Sequence, residues 1–125
     1  MVRDVGVDII KTERIKNIIH RRKRFLSRVF TPDEQKYCLA KNKPHLHFAA
    51  RFAAKEAAAK ALGTGISGFS WRDLEICRET SGKPFVLLNG RALKKARERK
   101  ISTILISLSA TDEEAIAYAL ALGVK

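Results

Sequence analysis

The sequence predicts an α+β fold, in which a mostly antiparallel sheet packs against one long central helix. The chain has 125 residues, 46% of them hydrophobic, so a single domain over residues 1–125 with one core is expected. Runs rich in valine and isoleucine lie near both ends, and an alanine-rich segment lies between them. A cleft between two lobes is hard to build at this size, so a site shared between subunits is a natural arrangement.

Two helix starts are visible in the first third of the chain. Residues 2–10 alternate loosely and are rich in valine and isoleucine, which predicts a strand. Thr12 is then the predicted cap of a helix from Glu13 to about His20, where isoleucines recur at helical spacing. Residues 31–34 join a capping threonine, a proline and two acids, and they predict a second helix that ends near residue 40.

An alanine-rich helix is predicted from His45 to Leu62, because small and aromatic side chains can pack along one of its sides. Glycines directly after it end the helix. The remaining elements are two strands joined by a turn at residues 81–83, a short basic helix and a closing hairpin; they span residues 72–78, 84–88, 90–100, 103–109 and 115–122. On propensity alone, the last of these segments is also compatible with a helix.

The chain carries a net charge of +12, from 25 lysines and arginines against 13 acids. This excess implies an acidic partner, whether nucleic acid, anionic lipid, a phosphate-rich ligand or an acidic protein. Four arginines lie on and just after the first predicted helix: Arg14, Arg21, Arg22 and Arg24. A solvated helix face explains such a cluster about as well as a docking surface does. A second basic group at residues 94–100 is predicted to be ordinary solvent-exposed surface.

The compartment predicted from the sequence is the cytoplasm. Cys38 and Cys77 have neither a CxxC nor a zinc-binding spacing, as expected for thiols in a reducing environment. Charged residues interrupt the first strand, so no signal peptide is predicted. No apolar stretch is long enough to cross a bilayer, and no membrane partner is expected.

The segment RFAAKEAAAKALGTGI, residues 51–66, concentrates the residues suited to chemistry. Glu56 and Lys60 are four residues apart and therefore share one face of the predicted helix. The Gly63-Thr64-Gly65 loop, called the 63–65 loop below, follows directly. Its glycines permit close approach of a ligand, and free backbone N–H groups are expected there for phosphate oxygens.

Asp8 and Glu56 are a candidate pair of magnesium ligands. Magnesium prefers oxygen ligands and takes one or two carboxylates, with waters and substrate phosphates completing its octahedron. Asp8 interrupts an otherwise apolar strand, where an acid without a partner is costly. Each acid also has a structural explanation, because Glu56 can pair with Lys60 and Asp8 can cap the helix that follows. The residues alone leave these alternatives open.

Several short motifs, in their order along the chain, resemble a known family. They are GVDII with ER, FTPDE, RFAAKEAAAKALGTG, SW-DLEI, GKP and SLS, and they extend over nearly the whole chain. This pattern is similar to that of the holo-acyl-carrier-protein synthases, the short 4′-phosphopantetheinyl transferases. The resemblance implies their α+β fold and an enzyme that moves the 4′-phosphopantetheine group of coenzyme A onto a serine of apo acyl carrier protein, releasing adenosine 3′,5′-bisphosphate.

The resemblance also implies roles for individual residues. Asp8 and Glu56 correspond to Mg²⁺ ligands and, with Lys60, to catalytic residues. The implied coenzyme A-binding positions are Arg51, Lys60, Gly63, Thr64, Gly65, Lys83, Pro84 and Ser109, and the implied carrier-protein-binding positions are Arg14, Arg21, Arg22 and Arg24. A homotrimer with sites at subunit interfaces is the usual assembly. The base that accepts the serine proton stays open between Glu56 and a metal-bound water.

One position departs from the family pattern. A histidine usually follows the serine of the last-but-one strand, and Ala110 stands in its place. Ala110 can neither donate a hydrogen bond nor carry charge, so a phosphate contact is either lost or supplied by another residue such as Arg51 or Ser109. Two alternative functions follow. One is a small basic nucleic-acid-binding domain, although the strands lack a run of aromatic residues for stacking. The other is a family member of low activity that only binds the carrier protein.

Overall fold

The computed structural model describes residues 1–124, in which strands at both ends enclose a helical middle. In chain order the elements are β1 (Val2–Lys11), α1 (Thr12–Arg21), α2 (Phe25–Val29), α3 (Pro32–Leu39), α4 (Pro44–Ala61), a 3₁₀ helix (Trp71–Asp73), β2 (Leu74–Arg78), β3 (Pro84–Leu88), α5 (Gly90–Glu98), β4 (Ile101–Ala110) and β5 (Glu114–Gly123). The closing segment is therefore a strand, as the hairpin prediction requires.

The strands form two antiparallel sheets. β5 lies between β1 and β4 in a three-stranded sheet, while β2 and β3 form a two-stranded one. In the larger sheet, Asp8 of β1 lies opposite Ala117 of β5, which lies opposite Leu108 of β4. This confirms the predicted α+β fold with an antiparallel sheet and a long central helix.

The centre of the face of the larger sheet that packs against α4 is built from small side chains. The odd-numbered alanines of β5, from Ala115 to Ala121, are almost completely buried, as are most alanines of α4. Gly6 lets β1 lie closer still to α4, because any larger residue there would place its Cβ atom on the carbonyl oxygen of Ala57. Such small residues let a helix and a sheet approach closely, and Asp8 lies two residues from Gly6 on the same face of the strand.

The two predicted helix caps have different outcomes. Thr31 caps α3 as predicted: its hydroxyl accepts a hydrogen bond from the Glu34 backbone N–H at 3.2 Å, and the Glu34 carboxylate accepts one from the Thr31 N–H at 2.8 Å. The prediction for Thr12 is wrong, since the cap position of α1 is Lys11. Thr12 is buried, and its hydroxyl donates to the carbonyl of Thr111 at 3.0 Å, which satisfies it in the interior.

Two short elements also differ from the sequence predictions. Residues 72 and 73, predicted to begin a strand, belong to the 3₁₀ helix, which Ser70 caps. α2 is an additional helix of five residues, too short to show a helical period in the sequence. No helix within residues 1–124 combines the length and the apolar character needed to cross a bilayer.

Candidate active site

Asp8, Glu56 and Lys60 lie where β1 packs against the C-terminal half of α4. The Nζ atom of Lys60 donates to the carbonyl of Val7 at 2.9 Å and lies 3.5 Å from an Oδ atom of Asp8. Glu56 stands one turn earlier on the same face of α4, close enough for the Asp8 charge to act on it. The structure therefore brings together the three residues proposed for catalysis.

The surroundings of Asp8 and Glu56 disfavour the ionised form of both carboxyl groups. Burial raises the pKa of Asp8, and the ammonium of Lys60 offsets part of this effect. Burial also raises the pKa of Glu56, the Asp8 charge adds to the increase, and Lys60 opposes it. Arg14 on α1 lowers both pKa values slightly, so this residue, predicted only as a docking residue, also stands near the carboxylates. Two neighbouring acids of this kind favour a cation between them.

The structural alternatives for the two acids are not realised. In the described part of the chain, Lys60 forms its ion pair with Asp8 and none with Glu56. Asp8 lies in the interior of β1, and α1 begins without any side-chain cap. Neither acid therefore has the purely structural role that the sequence left open.

The two carboxylates fit a magnesium ion. Residues 1–124 contain no cluster of three or more histidines, cysteines or acids that could enclose a metal. A pair of carboxylates is enough for magnesium, because waters and substrate phosphates supply its remaining oxygen ligands. Asp8 and Glu56 are the residues that would hold it, and their mutual repulsion would be relieved by the ion.

A buried ion pair fixes the orientation of α4 next to the site. Lys55 is completely buried, and its Nζ atom donates to Glu34 at 2.8 Å and to the carbonyls of Leu74 and Trp71 at 2.8 and 3.1 Å. The Glu34 carboxylate also accepts from the backbone N–H of Ile76 at 2.8 Å. Burial lowers the pKa of Lys55, and the charge of Glu34 opposes this effect. Because Lys55 points inwards, its neighbour Glu56 points towards β1.

The 63–65 loop differs from its predicted role. The backbone N–H groups of Gly63 and Gly65 donate to the carbonyls of Lys60 and Ala59, at 2.8 and 3.1 Å. These bonds end α4, so the two N–H groups are not free to bind phosphate. The prediction of free N–H groups at these two glycines is therefore wrong. The physical reason is that the last carbonyls of a helix also need donors, and glycine in a left-handed conformation supplies them.

The other predicted coenzyme A-binding residues lie away from the two carboxylates. Arg51 is only 2% exposed, and its guanidinium lies 4.0 Å above the Tyr37 ring. Its Nε and Nη1 atoms have no hydrogen-bond partner within residues 1–124. Lys83 and Pro84 lie at the turn between β2 and β3. Ser109 is exposed on β4, on the opposite face of the sheet from Asp8.

The predicted docking arginines line two adjoining clefts beside α1 and α2. One cleft, of about 440 Å³, is bordered by Arg14, Arg21 and Arg22. The other, of about 850 Å³, is bordered by Arg22 and Arg24 and has Phe52 and Trp71 among its apolar lining. Further basic residues that the sequence did not assign to docking also border the second cleft: Lys23, Arg28 and Arg72. The structure thus places the four arginines on one basic surface.

Comparisons with known proteins agree with this fold. The model of the 4′-phosphopantetheinyl transferase superfamily matches residues 4–119. A holo-[acyl-carrier-protein] synthase of Moorella thermoacetica is 50% identical over 117 residues, covering 94% of this chain and 91% of the relative. The crystal structure of a holo-ACP-synthase from Plasmodium yoelii has a TM-score of 0.88 at 33% identity, covering 100% of this chain and 98% of that one. A Helicobacter pylori holo-[acyl-carrier-protein] synthase in complex with coenzyme A has a TM-score of 0.83 at 31% identity, covering 94% and 99%.

The match to the superfamily model defines the class of protein, a phosphopantetheinyl transferase. The full-length relatives are more specific. The chain belongs to the holo-[acyl-carrier-protein] synthase family, which confirms the family and the kind of enzyme that the motifs implied.

Proposed function

We propose that this chain transfers the 4′-phosphopantetheine group of coenzyme A to a serine of apo acyl carrier protein, with Mg²⁺ and with release of adenosine 3′,5′-bisphosphate. The observation that carries the proposal is the placement of Asp8 opposite Glu56, with Lys60 3.5 Å from Asp8. The coenzyme A complex of the Helicobacter pylori protein supports the donor, and the name of the Moorella thermoacetica relative supports the acceptor.

The reaction requires neutralisation of a diphosphate while a hydroxyl attacks it. A magnesium ion held by Asp8 and Glu56 would stabilise the negative charge of the leaving phosphate. Lys60 adds a positive charge beside Asp8, and its bond to the Val7 carbonyl holds the ammonium in place. Either Glu56 or a water bound to the magnesium ion would accept the serine proton.

A mass-shift assay tests the transfer directly. Purified protein, magnesium and coenzyme A are incubated with an apo carrier protein, and the carrier is weighed by mass spectrometry. We expect it to gain the mass of one phosphopantetheine group, and to gain none when magnesium is removed by a chelator. An unmodified carrier at high enzyme concentration would instead support the alternative in which the chain only binds the carrier. An Ala110→His variant run in parallel shows whether the absent histidine limits the rate.

The basic clefts beside α1 and α2 are the proposed carrier-binding surface. The arginines there are exposed, and no ion pair within residues 1–124 occupies them. An acidic protein would complement this charge and associate faster because of it. The nucleic-acid alternative has less support, because the exposed aromatic residues Phe85 and Tyr118 lie on different sheets and form no common stacking surface.

The docking surface is tested by reversing two of its charges. In Arg14→Glu/Arg24→Glu, we expect the carrier's KM to rise about tenfold or more, because rim charges govern encounter with an acidic partner. Binding of coenzyme A alone should change little. The matched control is Lys94→Glu/Lys95→Glu on α5, which should leave the carrier's KM unchanged. An equal rise in both pairs would show only a general charge effect and would remove the assignment.

We propose that copies of this chain associate through the outer face of the larger sheet, in the trimer usual for the family. That face carries six exposed large side chains: Val5, Val7, Ile9, Leu105, Ile116 and Tyr118. An apolar surface of this kind is typical of protein interfaces. Ser109 lies on the same face, so it would meet the donor bound by a neighbouring copy rather than by its own. Analytical ultracentrifugation tests the assembly, and a monomer at micromolar concentration would contradict it.

The cytoplasmic location is also part of the proposal. Both cysteines, Cys38 and Cys77, are free thiols. Free thiols fit a reducing compartment such as the cytoplasm.

A further inference from the structure

Arg99, the residue that follows α5, lies against the 63–65 loop. A Cβ atom built on Gly63 would stand 2.6 Å from the Cζ atom and 2.7 Å from the Nη2 atom of Arg99. The guanidinium therefore rests directly on the backbone of Gly63, in space that any side chain there would fill. Gly63 has a φ of 88°, which also favours glycine at this position.

The 63–65 loop has few hydrogen-bond donors of its own for an anion. The N–H groups of Gly63 and Gly65 are already bonded to carbonyls of α4, and the Thr64 hydroxyl donates to the Gly65 carbonyl at 2.9 Å. Lys60 is turned towards β1, where it donates to a backbone carbonyl. A phosphate held at this loop consequently needs donors from another element.

Arg99 can supply these donors. Its side chain is exposed, and the three ion pairs found within residues 1–124 do not include it. A guanidinium presents five N–H groups in a planar fork that matches phosphate oxygens. We propose that the Arg99 guanidinium binds a phosphate group of the nucleotide donor at the 63–65 loop, an inference that rests on the function proposed above.

Arg99 does not stand in for the family's absent histidine within one chain. Arg99 lies two residues before β4 and Ala110 is the last residue of that strand, whose ten residues span about 30 Å. Arg99 therefore offers a phosphate contact at a different position. A competing explanation is that its charge only stabilises the C-terminal end of α4, where the helix dipole favours cations. The experiment must separate ligand binding from this structural effect.

The test compares Arg99→Gln with wild type by isothermal titration calorimetry, using coenzyme A and dephospho-coenzyme A as probes. Arg97→Gln is the matched control, because Arg97 is an exposed arginine in the last turn of α5, two residues before Arg99. We expect Arg99→Gln to bind coenzyme A about tenfold more weakly, as for the loss of a partly exposed charge-assisted hydrogen bond. Its thermal unfolding transition and the KM for the carrier protein should stay as in wild type. Arg99→Lys should recover part of the affinity.

The two probes identify the phosphate. Weaker binding of both probes would place Arg99 on the diphosphate, and weaker binding of coenzyme A alone would place it on the 3′-phosphate. Either result supports the proposal. Equal affinities of Arg99→Gln and wild type, with or without a lower melting temperature, would overturn it and leave the proposed function intact. Wild-type protein that fails to bind coenzyme A would overturn the proposed function as well.

Discussion

Replacing Lys55 with methionine should destabilise the protein strongly. The substitution keeps the length and apolar part of the side chain but removes an ammonium that is completely buried. It leaves the Glu34 carboxylate, which is 2% exposed, without its cation. Two backbone carbonyls, those of Leu74 and Trp71, also lose a donor.

Removing one partner of a buried ion pair costs about 3–5 kcal/mol, because the other charge stays buried and uncompensated. Small domains have a total stability of about 5–15 kcal/mol, so the loss is a large fraction. For a domain of this length, each kcal/mol lowers the melting temperature by roughly 3–5 °C. Lys55→Met should therefore melt about 10–25 °C below wild type.

Urea unfolding followed by fluorescence measures this loss. The chain has one tryptophan, Trp71, which stacks on Phe52 at 4.9 Å between ring centroids and reports on this region. Lys36→Met, an exposed lysine of α3, is the matched control. In Glu34→Gln/Lys55→Met neither charge of the buried pair remains, so about 1–3 kcal/mol should be regained. A loss below about 1 kcal/mol in Lys55→Met would refute the reasoning, since it would fall outside the range for a broken buried pair.

Three further substitutions or measurements test the site and the core. Glu56→Gln should reduce transfer at least a hundredfold (about 3 kcal/mol) and abolish stabilisation by magnesium. It should not lower the melting temperature of the metal-free protein. The raised pKa of Glu56 means that its charge destabilises the fold at neutral pH, and this effect disappears as the pH falls. Gly6→Ala should cost about 1–3 kcal/mol by overpacking β1 against Ala57, and an unchanged unfolding midpoint would contradict that contact. Burial raises the thiol pKa values of Cys38 and Cys77 to about 11. In a thiol titration of the native protein, Cys77 should therefore react slowly and fully buried Cys38 only after denaturation; rapid labelling of both is the opposing outcome.

The sequence predicts most of the fold because its signals are local. The capping box at Thr31 and the alanine-rich helix α4 each depend on residues that are close together in the sequence, and both are observed. Thr12 shows the limit of local signals, because its hydroxyl bonds to Thr111 from the other end of the chain. The residues around Thr12 do not indicate a contact with a residue nearly a hundred positions away. The local sequence therefore predicted a cap instead.

The site is predicted only in part, for a similar reason. Asp8 and Glu56 follow from the family motifs, and the structure brings them together. The anchoring role of Lys55 has one weak signal, a charged residue within a run of small buried ones. The position of Arg99 has none, because it depends on how the end of α5 meets the 63–65 loop. The loop itself suggests a phosphate cradle, and only the geometry shows that its N–H groups end the helix.

The close packing of α4 on the sheet has a consequence for the choice of ion. Asp8 and Glu56 lie on β1 and α4, whose separation is kept small by Gly6 and by the alanines of α4 and β5. Magnesium needs oxygens at about 2.0–2.1 Å, whereas calcium accepts about 2.3–2.6 Å. A larger residue in this layer would push β1 away from α4 and so shift the two carboxylates relative to each other. In the proposed magnesium site, core volume would therefore help to select the divalent cation, together with the identity of the ligands.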